Sequence, residues 1–329
     1  MIGKILDKIG LAEVADFGRS VKTKGLSKTL QIARERKEDD KKAAPNDTVL
    51  EIHKIRSLRE YQHFLSTHQV EYTEMAKVCG EYENNGKQEF TVAAYSYPMQ
   101  KWERMHVDFL YSDGKTINWR ERLICPDSLL NNRLRASIHM IDRELKPNVG
   151  SSIYIAEQLT PLYAYLSKKY KHLVGSEFLG IDVKSGTVNE RGLRHEDATQ
   201  LSFKDESFDY YLTFECLEHI PDYKKAFSEA SRILKKGGKM FFTVPFRSGA
   251  HENLIRAVLN EKGEVVHLTE PEYHGDPVHS DKGILCFQHF GWQMFEELKE
   301  VGFTDSYALV FQSVEFGYFT EQMIFIACK

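Results

Sequence analysis

The stretch from Leu193 to Phe246 constrains the fold most. Phe208 to Phe214 (FDYYLTF) is a short aromatic-rich run without Gly or Pro, which suits a buried strand. After Pro221, the residues Tyr223, Ala226, Phe227, Ala230, Ile233 and Leu234 recur at i, i+3, i+4, i+7 spacing and make one apolar stripe of a helix. Pro221 fits the helix entrance, and Asp222 stands as N-cap or first-turn acid. Gly237-Gly238 is expected to stop the helix, and a second buried strand to run from Lys239 to Phe246. Strand, crossover helix and strand form a βαβ unit, which implies a parallel sheet with a right-handed connection. Open α/β sheets bind ligands beyond the carboxyl ends of their strands. Those ends carry Glu215-Cys216-Leu217-Glu218-His219 and Pro245-Phe246, with His195-Glu196-Asp197-Ala198 one strand earlier.

The 329 residues suggest two domains, or one with a long extension. A net charge of −4 gives no general pull toward nucleic acid, and no long basic groove or base-stacking aromatic motif is visible. No apolar run is long enough to span a bilayer, and the charged start is too interrupted for a signal peptide. Five scattered cysteines, Cys79, Cys125, Cys216, Cys286 and Cys328, read as free thiols of a cytoplasmic protein.

Residues 1–70 read as a helical, charged extension. Ile2, Ile5, Leu6 and Ile9 share a helical face, and the run from Arg34 to Lys42 leads into a linker at Ala43–Asp47. The short face serves either as a peripheral membrane or partner contact, or as a helix packed on its own protein. Thr48 to Phe64 again looks helical. Residues 71–135 read as a small β-rich module, with strands at Phe90–Tyr97 and His106–Tyr111 and a hairpin turn at Ser112–Lys115. The last unit, 136–329, holds strands at Ser151–Ala156 and Lys171–Leu179 and helices at Pro161–Tyr170 and Gly291–Val301. Phe303–Phe311 and Gln322–Lys329 read as closing strands.

Taken in order, Asp197-Ala198, Leu201, Phe203, Ser207-Phe208-Asp209, Glu218-His219-Ile220-Pro221-Asp222 and Leu234-Lys235-Lys236-Gly237-Gly238 resemble the class I S-adenosylmethionine-dependent methyltransferases, of the type 11 kind. The resemblance implies an α/β fold: a doubly wound, mostly parallel seven-stranded sheet. Its last strand, from Glu321 to Cys328, would lie antiparallel between its neighbours. The cofactor implied is S-adenosylmethionine. Upstream, Cys79 and Cys125 each stand alone where a zinc ribbon would have a C-x-x-C knuckle. That module resembles the ribbon preceding a methyltransferase domain in some proteins of bacterial surface-polysaccharide gene clusters. With two ligand positions lost, no metal is expected.

The resemblance places the cofactor site residue by residue. Where the family has an acidic glycine-rich loop after the first strand, this chain reads Ala156-Glu157-Gln158-Leu159-Thr160, without glycine. Side chains of Glu157, Gln158 and Thr160 are therefore expected to replace backbone contacts, with Glu157 pairing the ammonium of the methionine part. The other reading leaves Thr160 as an N-cap before Pro161 and Glu157 solvated. Glu177, two residues after Gly175, matches the acid that holds the ribose hydroxyls, and Asp182 is its competitor. Asp197 and Ala198 match the adenine position, and Phe214 ends the fourth strand.

On the acceptor side, Glu215-Cys216-Leu217-Glu218 stands where the family's motif for planar nitrogens would be, which points to a hydroxyl acceptor. His219 and His274 are the candidate bases, since a histidine suits proton removal near neutral pH. Glu272, Tyr273 and Asp276, in a loop rich in acids and prolines, are candidates for binding the acceptor, a small molecule or carbohydrate. Three functions compete: an active methyltransferase, a silent methyltransferase fold used as a scaffold, and a Rossmann-type oxidoreductase. No G-x-G-x-x-G follows any expected strand, which weakens the third.

Overall fold

The computed structural model describes residues 42–47, 50–275 and 283–329. The expected N-terminal helix face therefore lies outside the described residues, as does Asp276. In chain order the elements begin with β1 (His53–Ile55), α1 (Leu58–Thr67), α2 (Gln69–Glu83), β2 (Glu89–Ser96), β3 (Lys101–Asp108) and α3 (Asn132–Met140). Next come β4 (Ile153–Ile155), α4 (Pro161–Lys169), β5 (Leu173–Gly175), β6 (Phe208–Phe214), α5 (Tyr223–Ile233) and β7 (Leu234–Thr243). Three short ladders are made by β8 (Leu254–Ile255), β9 (Ala257–Leu259), β10 (Val265–His267), β11 (Tyr273–His274), β12 (Ile284–Leu285) and β13 (Gln288–His289). The chain closes with α6 (Gln293–Glu300), β14 (Asp305–Ser313) and β15 (Tyr318–Cys328).

One seven-stranded sheet runs β5-β4-β6-β7-β15-β14-β1. Its β5, β4, β6 and β7 are parallel; β15 is antiparallel to both β7 and β14. This is the doubly wound α/β architecture that the resemblance implies, with the closing strand inserted antiparallel as expected. Alternate side chains of the central strands enter opposite layers. Tyr154, Tyr211, Met240 and Phe242 pack with α1, α5 and α6. Ile153, Ile155, Leu212 and Phe241 pack with α3 and α4.

Four local readings are corrected. Gly237-Gly238 does not end the helix: Leu234 is already extended, and its amide caps Ala230. The glycines lie inside β7, where the Gly237 amide donates to Lys329 O at 3.0 Å and Gly238 O accepts from the Lys329 amide at 3.0 Å. A Cβ on Gly238 would stand 2.8 Å from the Lys235 carbonyl oxygen, so this pair serves to pin the C-terminus. The stretch read as helix from Thr48 contains β1, which adds an edge strand to the main sheet by pairing with β14. The strand expected before Asp197 is reduced to a single parallel bridge, Glu177 to His195. Finally, the β2–β3 hairpin turns between Ser96 and Lys101; Ser112–Lys115 instead forms a turn around the Asp113 carboxylate.

Candidate active site

At the carboxyl ends of β4 and β5, the glycine-free loop is organised around one carboxylate. Glu177 Oε1 accepts the backbone amides of Gln158 at 2.7 Å and Leu159 at 2.8 Å. Gln158 bonds the Gly192 carbonyl and the Arg194 amide, each at 3.0 Å. Thr160 N-caps α4 by accepting the Tyr163 amide, with Pro161 at the first helical position. Tyr163 lies where a Cβ on Gly175 would be, 2.4 Å from its ring. Asp197 is engaged by its own turn, accepting the Thr199 amide and hydroxyl at 2.8 Å each. Glu157 differs from these. Its Oε1 is buried and has no hydrogen-bond partner. Burial first, and then the Glu177 carboxylate, push its carboxyl up to about 8, with Arg133 working the other way.

Beyond β6 and β7 the edge opens into a cavity of about 950 Å³. His219, Glu272, Tyr273 and His274 line it, so four of the sequence candidates come together there. Pro161 also borders it, next to the glycine-free loop. The segment before α3 forms one wall through Arg120 and Glu121, joined by Arg133 from the first turn of α3. Arg120 donates to Glu215 Oε1 at 2.6 Å and to Glu121 Oε1 at 2.7 Å; Arg133 Nε donates to Glu121 Oε1 at 2.8 Å. Burial opposes ionisation of Glu215, yet the two guanidiniums hold its carboxyl well below the usual range. A smaller cleft of about 350 Å³ lies between α6 and the Arg56–Asp305 ion pair, and none of these acids lines it.

The histidines are held from several sides. His219 belongs to a 3₁₀ turn, Leu217–His219, directly after β6. Gln288 Nε2 pins that turn by donating to Leu217 O at 2.7 Å and Ile220 O at 3.0 Å. His219 Nδ1 lies 2.9 Å from Leu285 O, and His274 Nε2 lies 2.9 Å from Glu272 Oε1. Contact with Glu218, followed by Glu272, raises the His274 pKa, and burial raises that of Glu218.

A sequence profile described as "Methyltransferase domain" matches residues 162–242, opening just after the glycine-free loop. The match takes in α4 to β7 of the parallel core. Among curated proteins it is similar to phosphoethanolamine N-methyltransferase 2 of Caenorhabditis elegans, 46% identical over 48 residues, 15% of this chain and 11% of that protein. It is also similar to demethylmenaquinone methyltransferase of Alkalihalophilus pseudofirmus, 31% identical over 107 residues, 31% of this chain and 44% of that protein. The chain thus spans less than half the length of these relatives. A solved S-adenosylmethionine-dependent methyltransferase from Mesorhizobium loti is 14% identical, covering 59% of this chain and 98% of its own, with a TM-score of 0.35.

S-adenosylmethionine is the cofactor that a methyltransferase domain of this kind implies. The residues present fit its methionine end: an orphaned, buried carboxylate oxygen at the end of the first central strand is complementary to an ammonium. The fit is by side chain, as the missing glycines require. Phe214 is buried at the end of β6, and Ala198 packs partly buried against the core.

The sequence candidates omit Glu215, Arg120, Glu121 and Arg133. Glu215 has φ 48°, a left-handed conformation rare outside glycine, and Tyr111 and Leu129 on the cavity wall share it at φ 60° and 61°. No residue type announces such backbone. The charges from Trp119 to Arg135, interleaved with apolar residues, are the legible signal. Cys79 and Cys125 are both buried in the core of the module, and Cys125 Sγ lies 3.7 Å from Ser96 Oγ. No helix among the described residues is long and apolar enough to cross a membrane.

Proposed function

We propose that the protein transfers a methyl group from S-adenosylmethionine to a small acceptor held in the 950 Å³ cavity. One juxtaposition carries this reading: an unpartnered buried Glu157 oxygen at the end of β4, and a polar cavity beginning at Pro161, at the same edge of a parallel sheet. Glu157 takes the ammonium of the methionine part. Glu177 and Gln158 hold the loop, with Glu177, Asp197, Ala198 and Phe214 on the nucleoside side. A sulfonium carries its own leaving group, so the protein aligns the acceptor and, for a hydroxyl, removes its proton. His219 is the residue for that proton, because its Nδ1 contact to the Leu285 carbonyl leaves Nε2 as the basic nitrogen. Glu272 fixes His274, and Tyr273 is proposed to face the acceptor. A hydroxyl of a carbohydrate-like molecule is the acceptor class we favour. The curated relatives bear the names of phosphoethanolamine and demethylmenaquinone methyltransferases, so an amine or a ring carbon is the alternative.

A second reading has its own observation. Glu177 is engaged by the Gln158 and Leu159 amides, and Tyr163 covers Gly175, as in a fold retained for binding a partner. Thermal shift with S-adenosylmethionine, S-adenosylhomocysteine and NAD separates the readings, since a ligand of the native state raises the melting temperature. The methyltransferase reading expects a shift with the first two alone. No shift with any of the three favours the partner-binding fold.

A further inference from the structure

Glu218 is the acid at this edge that the methyl-transfer reading leaves unused. It follows β6 by four residues, and its side chain is 0% exposed. Both of its carboxylate oxygens are buried without a hydrogen-bond partner. A carboxylate in that position costs several kcal/mol unless a cation meets it. Two imidazole nitrogens face it: His219 Nε2 and His274 Nδ1 each lie 3.6 Å from Glu218 Oε1, and the three ligand atoms all fall within 4.8 Å of one another.

The far nitrogen of each ring is already spoken for. His219 Nδ1 contacts the Leu285 carbonyl at 2.9 Å, and a carbonyl only accepts, so the proton sits on Nδ1. His274 Nε2 contacts the Glu272 carboxylate at 2.9 Å, which places its proton there. His219 therefore turns a lone pair toward Glu218, and His274, whose second proton Glu218 and Glu272 together hold, turns one there once a metal ion displaces that proton. Metal-binding histidines are oriented in this way, by a backbone carbonyl or a carboxylate behind the ring. Ligand atoms about 2.0–2.1 Å from a zinc ion stand about 3.3 Å apart in a tetrahedron. The two edges to Glu218, at 3.6 Å, are close to that, and the edge between the two histidines, held within 4.8 Å, closes by a turn of the imidazole rings.

We propose that Glu218, His219 and His274 bind a divalent first-row transition-metal ion at the acceptor edge. Two nitrogens and one carboxylate leave further coordination positions open. His219 and His274 line the cavity, so those positions take an oxygen donor of a small molecule held there. The neighbouring group of Glu272, Cys286 and His289 is the weaker choice. Arg256, His274 and His289 already meet Glu272, and the Cys286 thiol donates to the Gln288 carbonyl. The sequence expectation of no metal was argued at Cys79 and Cys125 but extended to the whole chain, and zinc bound here would overturn it.

The consequence for chemistry rests on the methyl-transfer reading; the binding does not. With metal bound, His219 is a ligand, and a coordinated acceptor hydroxyl loses its proton to water because the cation stabilises the oxyanion. The oxygen lone pair then forms the new O–CH₃ bond, while the S–CH₃ bonding pair stays on sulfur.

The test uses the full chain, stripped with a chelator and dialysed against micromolar zinc, without S-adenosylmethionine or acceptor. About one retained equivalent is expected, weakened at least about tenfold in both Glu218→Gln and His274→Gln. Thermal melting of the metal-free variants checks that they fold, and His274 on the short β11 strand provides the second variant should Glu218→Gln not fold. Cobalt(II) in place of zinc should give visible ligand-field bands in the wild type that both variants lose. Retention of no zinc by the wild type, or undiminished zinc and cobalt binding in the folded variants, overturns the site. Because no cofactor is present, that result leaves methyl transfer standing, and a protein that binds zinc but not S-adenosylmethionine keeps the metal site.

Discussion

At the β4 end of the binding edge every acid but Glu157 bonds inward. Glu177 holds two loop amides, and Asp197 holds its own turn. At the β6 end the acids meet cations and a cavity: Glu215 meets Arg120, and Glu272 meets Arg256 and two histidines. One sheet edge thus has a side closed by its own side chains and a side left open. The closed side replaces the glycines that would let backbone approach a ligand. A loop with Cβ atoms throughout needs a carboxylate under it to satisfy its amides, and Glu177 supplies that carboxylate. Specificity then falls to the open side, whose walls come from the upstream module and from the ladders inserted after β7.

The largest effect is expected on the open side. His219→Ala should cut turnover by about 10²–10⁴-fold, with cofactor affinity nearly unchanged. Equal loss of affinity would erase the division between the two sides. Next, Arg120→Ala removes a charged hydrogen-bond partner from Glu215, and a urea titration should show a loss of about 1.5–3 kcal/mol. Glu215→Gln in the same background should restore part of it, whereas a wild-type midpoint for Arg120→Ala would show that solvent already satisfies Glu215.

On the closed side, Glu177→Ala should weaken cofactor binding by about 1.5–3 kcal/mol and also lower stability, because two amides lose their acceptor. Asp182 is exposed, and Asp182→Ala should change neither. The reverse pattern would move the ribose contact to Asp182. The smallest effect concerns pH. The Glu157 carboxyl, raised from 4.5 to about 8, is neutral at lower pH and pairs an ammonium only when ionised. Cofactor affinity should therefore rise with pH up to about 8, and Glu157→Gln should flatten that rise. Stability without ligand should run the opposite way. A raised carboxyl binds more protons in the native state, so its contribution is full below 4.5 and is lost as pH climbs toward 8.

The parallel core was legible because its strands bury both faces. Phe208 to Phe214 and the stripe from Tyr223 to Ile233 each match one element. The Gly237-Gly238 pair misled because a helix stop and a strand bulge use the same residues, and only the packing of Lys329 distinguishes them. Strand β1 was hidden because three residues cannot declare a period. Of the site, His219, Glu272, Tyr273 and His274 were legible from their places after strands and in a rigid loop. Arg120 was not, since its partner Glu215 is 95 residues away in the chain, and for Arg133, which bonds Glu121, the run of charges from Trp119 to Arg135 was the one signal.

The central claim is that a loop without glycine still takes the cofactor, through Glu157. Calorimetric titration of S-adenosylhomocysteine into the wild type and into Glu157→Gln at pH 8.5 tests it most directly, because this ligand keeps the ammonium and needs no acceptor. The account predicts one site in the wild type and at least about tenfold weaker binding in the variant, the scale of one charged hydrogen bond. No heat from the wild type, or equal affinity in both proteins, would contradict it.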